Sequence, residues 1–441
     1  MILSTDQARD LTRRILGLSK AAEALVRLDG VERNHTRFAN NGITTSGSSR
    51  NLTVSIVSVF GKRHASASTN LMDDASLAEV VQRSEALARL APEDPEWMSI
   101  LPPQNYLPTE AYDDPLARLT PQDRARGIVA LSRRSGQAGI LASGFYEQET
   151  RASGIATSRG LFAHHPRTEA SFSTTARTRD GSGSGWAGSD VGRLGDLDVD
   201  RLGRAASDKA VRSASPKELP PGKYTVILEP QAVADLISNL AESLDARDAD
   251  EGRSVFSRPG GGSRIGERMV SPKVDLISEP ARSGLAGIPF DDEGLPAQRV
   301  TWFEKGELRH LQTSRYWALK NATQPTGPMA NLILPGGTDS LEAMIRSTER
   351  GILVTRFWYI RFVDPQTLLL TGITRDGTFL VEKGKIAHPV RNFRFNESPL
   401  SLLRNVEMIS APRRVVGQGI PMAMPAIKSH DFTFSSVSQA V

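Results

Sequence analysis

Six prolines fall between positions 92 and 115, namely Pro92, Pro95, Pro102, Pro103, Pro108 and Pro115, and they constrain the fold more than any other feature of the chain. Proline donates no backbone hydrogen bond and holds φ fixed, so this density disfavours both helix interior and central strand. The stretch reads as an extended connector, 92–118. It separates an N-terminal α/β unit, 1–91, from a middle section, 119–218, and a C-terminal domain, 219–441. A length of 441 residues suits two or three domains better than one.

In the N-terminal unit Ser4 and Gln7 form a capping box for a helix with an apolar face of Ala8, Leu11, Ile15 and Leu18. Strand-like runs follow at ALVRLDG, HTRFANNG, GITTSG and NLTVSIVSVFG, separated by turn signals. A second helix starts at Asp74 or Ser76 and presents Leu77, Val80, Val81, Ser84 and Leu87 on one side. Thr120 and Pro121 read as N-cap and first residue of a helix to about Arg134. A strand meander over roughly 139–189 and a polar helix near 197–213 complete the middle section. Further on, Lys305-Gly306 and Lys383-Gly384 each sit between alternating runs, a tight-turn signal. Asp339 and Glu342 suggest another capping box, with Gly351 as the stop before the strand ILVTRFWYIRFV. The class is α+β, with mixed helices and largely antiparallel sheets.

The chain has no cysteine, which removes disulfides, thiolate metal sites and cysteine nucleophiles together. Its apolar runs fall far short of the roughly 20 residues that cross a bilayer, and MILSTDQARDLTRRIL lacks the apolar core of a secretory leader. A cytoplasmic location and no membrane partner are expected. The net charge of +4 is a small excess of 54 basic over 50 acidic residues. No run of basic residues alternating with aromatics is read, so no nucleic-acid face is expected.

The histidines are His35, His64, His164, His165, His310, His388 and His430, none with a second at helical ligand spacing. His164 and His165 are adjacent on a strand and point to opposite faces. Asp291-Asp292-Glu293-Gly294 is the densest carboxylate group. It could hold a hard cation or supply a base; the simpler reading is an acidic turn that receives an arginine such as Arg299. Gly181–Gly185 lacks the GK[ST] ending of a phosphate loop and reads as a hairpin end, and Pro259–Ser263 as a flexible loop. Residues 226–244, VILEPQAVADLISNLAESL, run from strand through proline into a helix with the stripe Val233, Leu236, Ile237, Leu240 and Leu244. Away from that stripe stand Asp235, Ser238, Asn239, Glu242 and Ser243.

With Arg264-Ile265-Gly266-Glu267, then Asp291–Gly294 and Gln298-Arg299, Pro335-Gly336-Gly337, Val363-Asp364 through Thr371-Gly372, the Glu382–Lys385 hairpin and Pro389-Val390, nearly the whole chain resembles the TldD/PmbA family. Its members are also called modulators of DNA gyrase or the TldD/TldE proteases. The resemblance implies zinc metallopeptidases whose H-E-x-x-x-H motif lies on the helix after a strand equivalent to Val226-Ile227-Leu228. Here the motif positions fall at Ser238, Asn239 and Ser243. Serine and asparagine are poor zinc ligands, and an amide cannot replace the glutamate base. The family's further cysteine ligand has no counterpart. The resemblance therefore implies a TldE/PmbA-like, non-catalytic subunit that binds no cofactor itself and pairs with a TldD-like zinc subunit. The implied substrate is peptide or unfolded protein, and a homodimer is open to the chain where no such partner is present. Arg264, Glu267, Asp291, Asp292, Glu293 and Arg299 are the groove or partner candidates. Two other readings stay open: a binding or regulatory protein linked to DNA gyrase, and a metal-independent hydrolase using Asp291, Asp292 or Glu293 with His310 or Arg299.

Overall fold

A computed structural model describes residues 2–417 and 419–438. Ser4 opens helix α1 (Thr5–Leu18) through the expected box with Gln7. Strands β1 (Glu23–Ala39), β2 (Gly42–Phe60) and β3 (Arg63–Thr69) follow, then helix α2 (Asp74–Leu90), which Asp73 caps. After the connector, which holds the single turn α3 (Asp114–Ala117), come α4 (Pro121–Gln137), β4 (Ile140–Thr157), β5 (Phe162–Thr178), β6 (Ser184–Val191) and α5 (Val199–Arg212). Thr120 caps α4 as its sequence predicts.

The six strands make one antiparallel sheet in the order β3-β2-β1-β4-β5-β6. Pairing of β1 with β4 from Leu25 to Phe38 thereby joins residues 1–91 to 119–218. The four short strands expected before residue 61 merge into two long ones. Asp29-Gly30 is no turn, because Gly30 pairs with Leu52 on one side and Ala152 on the other. Ladder bonds on both edges outweigh the local preference of glycine. Only Asn40-Asn41 turns, both at positive φ.

One face of the sheet is covered by α1 and α2 over Val26, Leu28, Val54 and Ile56, and by α4 and α5 over Phe38, Tyr146 and Phe172. Leu18 and Leu87, expected on the helix faces, stay exposed at the helix ends. The opposite face takes the connector: Trp97, Ile100, Leu101 and Tyr106 pack on Leu25, Val57, Ile155 and Leu161. The connector is extended as expected, and its aromatic side chains anchor it.

The second half contains β7 (Gly222–Leu228), α6 (Pro230–Glu242), α7 (Ala246–Asp250), β8 (Leu276–Ser278), β9 (Val300–Glu304), β10 (Glu307–Leu308), α8 (Arg315–Lys320), β11 (Leu332–Ile333) and α9 (Leu341–Arg346). Then come β12 (Arg350–Asp364), β13 (Leu369–Glu382), β14 (Lys385–Pro389), β15 (Phe393–Glu397), α10 (Pro399–Arg404), β16 (Val406–Ile409), β17 (Arg413–Arg414), β18 (Met422–Met424) and β19 (Ile427–Val437). Strands β12, β7, β19, β15 and β13 pair in a closed circuit, because β13 returns to β12. Closure leaves those strands few free edges. Its core is aromatic: Phe357, Phe393, Phe395, Phe432 and Phe434. A smaller sheet, β10-β9-β8-β11-β18-β17, packs alongside. Apart from β7–β12 and β11–β18 the named pairs are antiparallel.

Both Lys-Gly turns form as read, each residue at positive φ. The proposed box at Asp339 and Glu342 is corrected. Ser340 caps α9 by accepting from Ala343 N, while the Asp339 carboxylate accepts from Ile409 N at 3.2 Å. Gly351 is not a helix stop either. It lies inside β12, where a Cβ would meet Thr225 O at 2.7 Å, so glycine permits the close parallel approach of β7.

Candidate functional site

Pro230 opens α6 directly from β7, and the Glu229 side chain makes no cap. Instead its Oε2 accepts from Lys209 Nζ of α5 at 2.6 Å, tying the helix to the middle section. All five stripe residues are buried, as the spacing predicts. Of the polar positions Glu242 is exposed, but the others are not the solvent face that the sequence suggests. Asp235 and Ser238 are buried as well, and Asn239 and Ser243 are half-buried. The cause is tertiary: α6 lies between β12 of the closed circuit and β18 of the smaller sheet.

Asp235 is the polar centre of this helix. Its Oδ2 accepts from Phe357 N of β12 at 2.8 Å and its Oδ1 from Gln231 Nε2 at 2.9 Å. Gln231 also clamps the segment beyond β17, accepting from Val416 N at 3.0 Å and donating to Val416 O at 3.1 Å. Burial pushes the Asp235 carboxyl up to about 6, against the opposing pull of Gln231, the Phe357 amide and the Arg356 guanidinium. From the middle section Asp190 holds the same segment through Gly417 N at 2.7 Å, and burial pushes its carboxyl up to about 6 too.

Gln231, Asp235, Val416 and Gly417 line a cleft of about 450 Å³ between α6, Trp186 of β6 and residues 356–361 of β12. Arg356 donates to the fully buried Asp376 carboxylate at 2.7 and 2.9 Å. Its guanidinium lies 4.9 Å from the Trp186 ring centre and 5.0 Å from that of Trp358. On the rim Trp358, Tyr359, Phe362 and Val363 are exposed. In Arg356-Phe357-Trp358-Tyr359-Ile360-Arg361-Phe362 two arginines flank an aromatic triplet, a grouping without the repeated basic–aromatic alternation of a nucleic-acid surface. Its legible signal was the arginine spacing around the aromatic triplet.

Of the motif positions Asn239 lines this cleft, yet the polar hydrogens of all three go to the helix backbone. Ser238 Oγ and Asn239 Nδ2 both donate to Asp235 O, at 3.2 and 2.9 Å, and Ser243 Oγ donates to Asn239 O at 3.0 Å. Ser243 is the C-cap, outside the helix proper. Hydroxyl and amide groups spent on helix carbonyls do not fit a zinc ion, which takes imidazole, thiolate or carboxylate donors. Among the described residues no three of His, Cys, Asp or Glu group as metal ligands.

The groove candidates fall into separate groups, Arg264 with Glu267, the turn Asp291–Glu293, and Arg299. Arg264 and Arg258 both bind the Glu267 carboxylate, at 2.8 and 2.9 Å, and hold it below its ordinary range. Together they close the glycine-rich loop, where Arg258 N donates to Gly262 O at 2.8 Å. Asp291 is an acidic-turn anchor: its Oδ1 accepts from Glu293 N and Leu295 N at 2.9 and 2.8 Å, and burial raises its carboxyl. Asp292 contributes its carbonyl to Arg27 at 2.7 Å, and Glu293 pairs with Arg315 at 2.5 Å. The arginines at this turn are therefore Arg27 and Arg315. Arg299, the expected partner, reaches Glu279 at 4.0 Å instead. His310 is exposed, with Nδ1 2.8 Å from Thr301 O. His165 is buried on β5 and pushed down to about 4 by its burial.

Three models of one family match in succession: the PmbA/TldA metallopeptidase domain 1 over residues 24–88, the central domain over 118–214 and the C-terminal domain over 221–436. Among curated proteins, a metalloprotease of Methanothermobacter thermautotrophicus is 24% identical over 228 residues, 46% of this chain and 48% of that one. A metalloprotease TldD homolog of Buchnera aphidicola (subsp. Schizaphis graminum) is 24% identical over 245 residues, 49% of each. The chain spans about half the length of these relatives. In fold it is similar to TldE of Thermococcus kodakarensis, with TM-score 0.87 and 19% identity over 97% of this chain and 99% of that one. It is also similar to a candidate modulator of DNA gyrase from Bacteroides thetaiotaomicron, with TM-score 0.86 and 21% identity over 99% and 100%. Matched by that family's models from Ala24 to Ser436, the chain belongs to the PmbA/TldD metallopeptidase family.

Proposed function

We propose that this chain is a TldE/PmbA-like subunit of a cytoplasmic zinc metallopeptidase, non-catalytic by itself, which supplies wall and peptide groove to a TldD-like partner. The observation that carries this reading is α6. The helix keeps its buried stripe and its place beside a cleft, while Ser238, Asn239 and Ser243 direct their polar atoms to its own backbone. A neutral imidazole pair and a carboxylate base, which zinc hydrolysis requires, have no equivalents there. Zinc and the base come from the partner, and this chain contributes shape, hydrogen bonding and the aromatic rim of Trp358 and Tyr359.

The test is purification of the chain alone and with a co-expressed TldD-like protein carrying H-E-x-x-x-H, followed by zinc analysis and cleavage of an unfolded peptide. The pair is expected to hold zinc and cleave, and the isolated chain to do neither. Stoichiometric zinc with cleavage by the isolated chain overturns the reading.

A further inference from the structure

β7 pairs with β12 only from Gly351 to Val354, so the following residues of β12 are backed by β13 alone. Between Trp358 and Arg361 the register shifts, and Tyr359 sits at φ +56 with 67% of its surface exposed. That conformation is unfavourable for a tyrosine, and a bulge is a device that re-aims a side chain. Here it turns the ring out onto the rim of the α6 cleft. Arg361 lies over that ring, 5.4 Å from its centre, with Nη1 donating to Ile360 O at 2.7 Å. Among the described residues no carboxylate is within 4.0 Å of Arg361. Arg356 and Arg375 meanwhile share the single carboxylate of Asp376. Asp235, the other acid at the cleft, is recessed and committed to Phe357 N and Gln231. The mouth is therefore short of negative charge.

We propose that the cleft binds an extended peptide through a carboxylate seated on Arg361, either an acidic side chain or a free C-terminus, with an adjacent side chain against Tyr359. This rests on the peptide-groove reading above. A single-stranded nucleic acid would also use arginines and aromatic rings. Stacking successive bases needs successive free rings, however, and Trp358 already carries the guanidiniums of Arg356 and Arg375.

Fluorescence polarisation on the isolated full chain tests this with three labelled hexapeptides and a short oligothymidylate. The peptides are identical except for a central Glu with an amidated end, a central Gln with an amidated end, and a central Gln with a free carboxyl end. At least one carboxylate-bearing peptide is expected to bind about tenfold tighter than the neutral one. Arg361→Gln removes that preference, Tyr359→Ala weakens all three peptides, and Arg13→Gln on α1 changes nothing, with circular dichroism confirming the fold of each variant. Equal affinities for the three peptides, a preference that survives Arg361→Gln, or tighter binding of the oligothymidylate each overturn the proposal. Selective binding by the isolated chain beside an inactive co-expressed pair would sink the subunit reading alone. Cleavage by the pair without any carboxylate preference would sink this one alone.

Discussion

The helix at 230–242 and the turn at 291–294 hold a buried and a half-buried aspartate, each with its carboxyl raised by loss of water, yet the two carboxylates are used differently. Asp291 holds the amides of Glu293 and Leu295, close by in sequence, and so shapes its own turn. Asp235 holds the amide of Phe357, 122 positions away, and so joins a helix to a strand. A locally satisfied carboxylate costs little to rearrange and marks a structural turn. One that spans two elements beside a cleft fixes the width of that cleft. The difference is one of reach: Asp291 acts within its own turn, whereas Asp235 ties together elements far apart in the chain.

Ile237→Ala should produce the largest effect on the helix side. A fully buried isoleucine facing two sheets is lost, at a cost of about 2–5 kcal/mol, read as a lower urea midpoint by tryptophan fluorescence. A loss below about 1 kcal/mol would mean that α6 is not integral to the core.

Asp235→Asn tests the buried carboxylate of the helix by pH. Below about pH 4 the carboxyl is protonated whether the chain is folded or unfolded, and burial costs nothing. As pH rises through about 6, the folded state must ionise a buried group, and the native protein loses stability on the order of 3 kcal/mol. Asparagine still offers an acceptor to Phe357 N and carries no charge. The variant should therefore gain on the native chain between pH 4 and pH 8, in urea midpoints measured at both ends. A gap independent of pH would erase the distinction drawn for Asp235.

Asp291→Ala should cost about 1–3 kcal/mol through two orphaned amides. The loss should appear as faster hydrogen exchange in residues 291–295 with no change in β7; spread to β7 would mean that the turn is as far-reaching as the helix. Glu293→Gln is smaller still, about 0–1 kcal/mol, because the Glu293 side chain is half exposed in its pair with Arg315. Retained thermal stability in that variant checks it.

Much of the local structure was legible. Ser4-Gln7 and Thr120 cap helices as read, and the two Lys-Gly turns form, because caps and turns are satisfied within a few residues. Gly30 misled for the same reason inverted: a local turn signal was overruled by strands on both sides. At the site, the sequence identified the helix and its buried stripe, and the family resemblance supplied the motif positions. Arg356–Phe362 reads only as strand, because the bulge that exposes Tyr359 and the packing of Arg356 on Trp186 are tertiary features.

By itself, then, the sequence determined the α+β class, the capped helices, the cysteine-free chemistry and the absence of histidine from the helix after β7, since each depends on residue type or near neighbours. Tertiary structure decided the rest. Return of β13 to β12 closes the aromatic core, insertion of α6 between two sheets buries its polar side, and the bulge at Tyr359 turns an aromatic ring toward the cleft. Each of these depends on groups far apart in the chain, such as Asp235 with Phe357 or Ser184 with Asp376, whose meeting is set by packing and hydrogen-bond satisfaction rather than by spacing.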